Sequence, residues 1–163
     1  MMGVNSFNIR VYGVLVHAQW LLLSDEVVQG KRITKFPGGG LVPGEGTLDG
    51  LRREIREELG QEARMLHHFY TTDFFQQSAY VQGDQIISIY YTFEVPRPGA
   101  LLSGTPAPGL GADKQQMLRW LPLAQAQISD VDLPIDRVVM KLIMQRKWMG
   151  QASPVPPAGL PIR

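Results

Sequence analysis

The chain has 163 residues, 44% apolar and 19% charged, which is the balance of a folded globular chain and not of a disordered one. Sixteen basic residues against fifteen acidic ones leave a formal charge of +1, so bulk charge gives no reason to expect nucleic acid or a membrane surface as a partner. There is no cysteine, which excludes disulfides, thiolate nucleophiles and thiolate metal sites.

The length suits a single domain over residues 1–150, followed by a tail over 151–163 that is rich in proline. Residues 8–17 are rich in β-branched and aromatic types and predict a strand, with a second around 20–23. The apolar run over 11–23 contains His17 and Gln19 and is too short to span a bilayer. No secretory signal pattern accompanies it, so a cytoplasmic protein is expected. Residues 25–31 read as a polar connection and 32–36 as a short strand ending at Pro37. Gly38, Gly39, Gly40, Pro43, Gly44 and Gly46 then predict a loop with unusual backbone angles. A helix follows, with Thr47 as N-cap and Gly60 as stop. Gly50 inside it should cost about 1 kcal/mol relative to alanine. Residues 63–70 and 86–95 read as strands joined by a loop of aromatics and glutamines. Residues 96–111, with four prolines and four glycines, predict a long flexible loop. A last strand is expected over 117–121 and a helix over 133–148. The tail from Gly150 is expected to be a mobile arm.

The stretch from Gly39 to Gly60 carries the chemistry. At about 100° per residue, with Glu54 at zero, Glu58 falls at about 40° and Glu57 at about −60°. Leu51, Ile55, Leu48 and Leu59 lie between about 60° and 140° on the same wheel. One stripe is therefore apolar, and the neighbouring stripe holds three carboxylates within one turn. Like charges at these spacings destabilise a helix by roughly 0.2–0.5 kcal/mol per pair. Arg53 and Arg56 offset part of this, and a divalent cation would offset more. Oxygen-only ligands suit Mg²⁺ or Mn²⁺. A purely solvated acidic face is the competing reading. A glycine loop just before the helix can aim backbone carbonyls at a metal and amides at phosphate oxygens. An ion pair between Glu45 and Arg53 would fix that loop to the helix.

These residues resemble the signature of the Nudix hydrolase family: glycine, five residues, glutamate, seven residues, then Arg-Glu-apolar-x-Glu-Glu-x-Gly-apolar. Here it reads Gly39, Glu45, then Arg53-Glu54-Ile55-Arg56-Glu57-Glu58-Leu59-Gly60. The resemblance implies an α/β fold, an α/β/α sandwich with a mixed β-sheet, over roughly residues 5–148. It implies hydrolysis of a pyrophosphate bond in a nucleoside diphosphate linked to another group: a nucleotide, sugar nucleotide or dinucleotide. By carry-over, Mg²⁺ (or Mn²⁺) is held by Glu57 and Glu58, with Glu54 as third ligand or as the base that activates water. The carbonyl of Gly38 completes the set. Gly39, Glu45, Arg53 and Gly60 support the site. The expected partner is a small nucleotide-type substrate, with no nucleic acid and no membrane; a homodimer is compatible with this.

Three positions depart from the family pattern. Gln61 stands where an apolar residue is usual, which weakens local packing. Val42 stands where many members have an acid. Before the last strand, where many members place a further acid, the chain reads Asp113-Lys114-Gln115-Gln116. The base is then either Glu54 or Asp113, or activity is reduced. The alternative function is a weak or inactive nucleotide-binding sensor, which the intact Glu54, Glu57 and Glu58 argue against. An isoprenoid diphosphate isomerase on the same fold is disfavoured by the lack of cysteine. Tyr70, Phe74, Phe75 and Tyr80 either stack on a base or fill a core. His17, His67 and His68 read as structural, and Trp120 as core.

Overall fold

Strands whose side chains alternate between two faces can feed two cores at once, and this chain does so. The computed structural model describes residues 3–101, 103, 104, 116–150, 152, 153 and 157. In chain order the regular elements are β1 (Ser6–Val14), β2 (Val16–His17), β3 (Trp20–Val28), β4 (Lys31–Lys35), β5 (Gly38–Gly40), α1 (Thr47–Leu59), β6 (Arg64–Thr71), β7 (Asp84–Glu94), β8 (Gln116–Pro122) and α2 (Pro134–Gln145). One sheet runs β5-β1-β7-β6 and is mixed, because β1 and β7 are parallel while its other pairs are antiparallel. The second is antiparallel and centred on β3, which pairs with β2, β4 and β8.

On one face Val11, Leu22, Phe93, Leu118 and Trp120 pack with Leu51, Ile55 and Leu59 of α1. On the other, Tyr12, Leu21, Leu23 and Tyr90 pack with Ile135, Val139, Met140 and Ile143 of α2. The period of two along each strand splits the apolar residues between the helices. The result is the expected α/β/α sandwich with a mixed sheet.

Several boundaries differ from the sequence reading. The polar run 25–31 belongs mostly to strands, because its charges find cross-strand partners. Asp25 is buried and accepts from Arg32 Nη2 at 2.7 Å and Thr34 Oγ1 at 2.5 Å. The glycine run is strand β5, with Gly38, Gly39 and Gly40 opposite Tyr12, Val11 and Arg10. Glycine is needed there because Gly38 has φ +139°, and a Cβ on it would collide with the Val11 carbonyl. The α1 N-cap is Gly46, not Thr47, whose hydroxyl instead pairs with the Tyr91 hydroxyl at 2.7 Å.

Gln61 does not weaken packing. Its amide nitrogen donates to the Arg97 carbonyl and its amide oxygen accepts from Arg97 N–H, both at 2.8 Å. This clamp, the short turn Pro98–Ala100 and the fully buried Leu101 anchor the start of the segment expected to be a flexible loop. Most of the rest of that segment lies outside the described residues. The start of the tail also has partners: Trp20 Nε1 donates to the Ser153 carbonyl at 2.9 Å, and Ser153 N–H to Ala18 at 3.2 Å.

Candidate functional site

The wheel drawn for α1 is realised with one exception. Leu51, Ile55 and Leu59 are buried, while Leu48, in the first turn, is exposed. Gly60 takes a left-handed conformation and its N–H caps the Arg56 carbonyl at 3.0 Å. The three carboxylates then differ in depth. Glu58 is buried, the Glu54 side chain is 13% exposed, and that of Glu57 is 51% exposed.

The three glycines of β5 each serve one residue of this helix. Gly38 N–H donates to Glu58 Oε2 at 3.0 Å. The Glu54 carboxylate lies directly over Gly39, where an added Cβ would meet its three atoms at 2.7, 2.8 and 2.9 Å. The Gly40 carbonyl accepts from Arg53 Nη2 at 3.0 Å. Arg53 also grips Glu45 in a fork, Nε to Oε2 at 3.0 Å and Nη2 to Oε1 at 2.7 Å, and Nη1 reaches Glu54 Oε1 at 3.0 Å. Glu57 lies at 3.4 Å from the same guanidinium. The Arg53 fork and the Val42 N–H hold the Glu45 carboxyl down at about 2. The expected Glu45–Arg53 pair is therefore present, and it ties the loop to the helix. Val42 contributes its backbone N–H, at 2.8 Å from Glu45 Oε1, and its side chain is half exposed.

Burial pushes the Glu58 carboxyl up to about 7, against the pull of Lys35 and the Gly38 N–H, while Glu54 pushes in the same direction as burial. A buried acid beside a second acid gains from any cation that joins them. The donors are hard oxygens of the kind Mg²⁺ accepts, with water completing its shell. Among the described residues no three acidic or histidine side chains already surround one point. Glu54 and Glu58 are nonetheless seated on β5 beside one another, and with the half-exposed Glu57 on the same helix they supply the hard oxygen donors such an ion takes.

Sequence reasoning missed the other side of the site. Lys35, at the end of β4, is buried; its ammonium lies 3.2 Å from the Gly38 carbonyl and 3.3 Å from Glu26 Oε2. It stands 5.5 Å from the centre of the Tyr12 ring. Arg10 donates to the Tyr12 hydroxyl at 2.6 Å. No sequence signal marked Lys35, since β4 also carries Lys31, Arg32 and Thr34 and a further lysine does not stand out there. Next to Lys35 opens a cavity of about 320 Å³, lined by Arg10, Tyr12, Tyr80, Ile86, Tyr90 and Asp136 among others. Burial raises the Asp136 carboxyl to about 6, and Asp136 accepts from the Tyr90 hydroxyl at 2.5 Å.

Phe74, Phe75 and Tyr80 are exposed, so they are not core residues, and Tyr80 lines the cavity. Tyr70 is half-buried and packs near Tyr90. His17, His67 and His68 are exposed, and His68 pairs with Thr71. Trp120 is core, as expected, with its indole N–H on the Leu101 carbonyl. Gln116 is buried and donates to the Ser24 hydroxyl, so it has a structural partner. Asp113 lies outside the described residues.

A family model described as a NUDIX domain matches residues 8–142. No curated protein matches the chain. Among solved structures it is similar to a NUDIX hydrolase from Nitrosomonas europaea, with TM-score 0.64 and 19% identity over 85% of this chain and 88% of that one. It is also similar to a MutT NUDIX hydrolase from Burkholderia pseudomallei, with TM-score 0.66 and 18% identity over 85% of this chain and 99% of that one. At such identities the solved structures speak to the fold, and the family model speaks to the family.

Proposed function

The chain belongs to the NUDIX family and is a Nudix pyrophosphohydrolase, and from that premise we propose that it hydrolyses, with Mg²⁺, a pyrophosphate bond in a nucleoside diphosphate linked to another group. The observation that carries this reading is the seating of Glu54 and Glu58 on the Gly38–Gly40 strand, fixed by the Arg53–Glu45 fork. Glu57 and Glu58 would hold the ion, together with the Gly38 carbonyl, and Glu54 would stand beside it as the base that activates water. When bound, Mg²⁺ supplies positive charge against the diphosphate and makes a nearby water more acidic.

The chain's own groups do the rest. Arg53 orients Glu54 and withholds one of its oxygens from solvent, leaving the other to accept a proton. Glu54 takes that proton as water oxygen bonds to phosphorus, and the bridging P–O bond breaks. The departing phosphate oxygen keeps the bonding pair and needs little protonation. The cavity beside Lys35 is large enough for the non-phosphate part of a nucleotide, and its tyrosines offer faces for a ring.

The test is a panel of nucleoside triphosphates, sugar nucleotides and dinucleotides incubated with Mg²⁺, with products identified by mass. Cleavage at a phosphoric anhydride, lost on chelation, is the expected result. Cleavage insensitive to chelation, or no turnover of any panel member, removes the proposal.

A further inference from the structure

Lys35 carries an inference beyond the family assignment. An ammonium is costly to bury and is normally tied down by short, charge-assisted bonds of about 2.7–2.9 Å. Lys35 is buried, yet its two polar contacts are both longer: 3.2 Å to the Gly38 carbonyl and 3.3 Å to Glu26. The groups around it are Glu26, Glu58, Asp136, Tyr12 and Arg10. Acids dominate that list, so the field holds the cation more than any one partner does. An ammonium has three donors, and one face of Lys35 lines the cavity. The Gly38 carbonyl it holds and the Glu58 carboxylate it attracts are the groups assigned above to the divalent ion.

We propose that Lys35 is a resident cation of this site: without a divalent ion it holds the Gly38 carbonyl and neutralises Glu58, and with the ion bound it turns to the diphosphate oxygens of the substrate. The inference rests on the metal assignment made above. Its logic is electrostatic. Two cations cannot share the same carbonyl and carboxylate without repulsion, so the lysine opposes the metal. The substrate brings the extra negative charge that gives the ammonium a new partner at the mouth of the cavity. Lys35 thus links metal binding to diphosphate binding, and it costs affinity for the first while supporting the second.

The signature is a pair of effects with opposite signs, which a merely structural lysine would not give. Mn²⁺ affinity is measured on the free protein by electron paramagnetic resonance. Affinity for methylenediphosphonate is measured at saturating Mn²⁺ by calorimetry. Lys35→Met is expected to bind Mn²⁺ at least about threefold tighter and the diphosphonate at least about threefold more weakly. Lys35→Arg, which keeps the charge, should move both values back towards the wild type. If Lys35→Met does not fold, Lys35→Gln keeps a donor for the Gly38 carbonyl and is read the same way. Unchanged or weaker Mn²⁺ binding in the neutral variant overturns the proposal, and so does an unchanged diphosphonate affinity. No Mn²⁺ binding by the wild type, or equal binding by Glu54→Gln combined with Glu58→Gln, overturns the metal assignment itself and the proposal with it.

Discussion

Arg53 is the residue on which most of the site depends, since one guanidinium touches Glu45, Glu54, Glu57 and the Gly40 carbonyl. Removing one partner of such a pair leaves the other charge without its match, which is worse than removing both. Glu45→Ala and Arg53→Ala should each lower stability and activity, and the double change should cost less than their sum. Strict additivity in the double-mutant cycle would show that the fork contributes nothing. The same fork predicts a pH dependence. The Glu45 carboxyl is lowered from its ordinary 4.5 to about 2, so its contribution is full above about 4.5 and is lost as pH falls through 2. Urea midpoints taken between pH 5 and pH 2.5 should fall more for the wild type than for Glu45→Gln; parallel curves would contradict this. At this scale the sequence showed the residues whose spacing is a pattern: Glu45, Arg53, Glu54, Glu57 and Glu58. It could not show Lys35 or Asp136, because what makes them part of the site is burial beside β5 and the cavity, and no spacing encodes that.

Among the elements, the helix α1 was legible because its apolar stripe, its acidic stripe and its terminal glycine all agree. The glycine run was read as a loop, and it is a strand. Glycine has low strand propensity, and its pairing with β1 is a tertiary fact. Gln61 was misjudged for a similar reason, since its partner is a backbone 36 residues away. Gly50 shows how packing overrides propensity. In an isolated helix Gly50→Ala should stabilise by about 1 kcal/mol. Here the added Cβ would meet Leu41 Cδ1 at 2.5 Å and Glu45 Oε1 at 3.0 Å, so the Leu41 tip must shift and the Glu45 carboxylate, held in the Arg53 fork, must give way. The expectation is therefore a destabilised protein, by roughly 1–3 kcal/mol in urea denaturation, as for other overpacked sites. A variant more stable than the wild type would mean that the loop does not press on α1 in solution.

The whole molecule sets two layers of helix against a central layer of strands: α1 carries the acids, while β1, β4, β7 and α2 contribute to the cavity next to Lys35. Among the described residues no helix is long and apolar enough to cross a membrane. The sandwich was legible from element order and from the family resemblance. The cavity was not, because its walls come from residues as far apart as Asn8 and Asp136. The central claim is that the acidic stripe of α1 drives metal-dependent hydrolysis. Glu57 tests it best, because its side chain is half exposed and its loss leaves the apolar stripe intact. The measurement is steady-state turnover of the best panel substrate at saturating Mg²⁺ by the wild type and by Glu57→Gln, with melting curves to check the fold. A loss of roughly 100-fold or more in turnover with an unchanged metal-free melting temperature is the predicted result. Full turnover by Glu57→Gln would contradict the account.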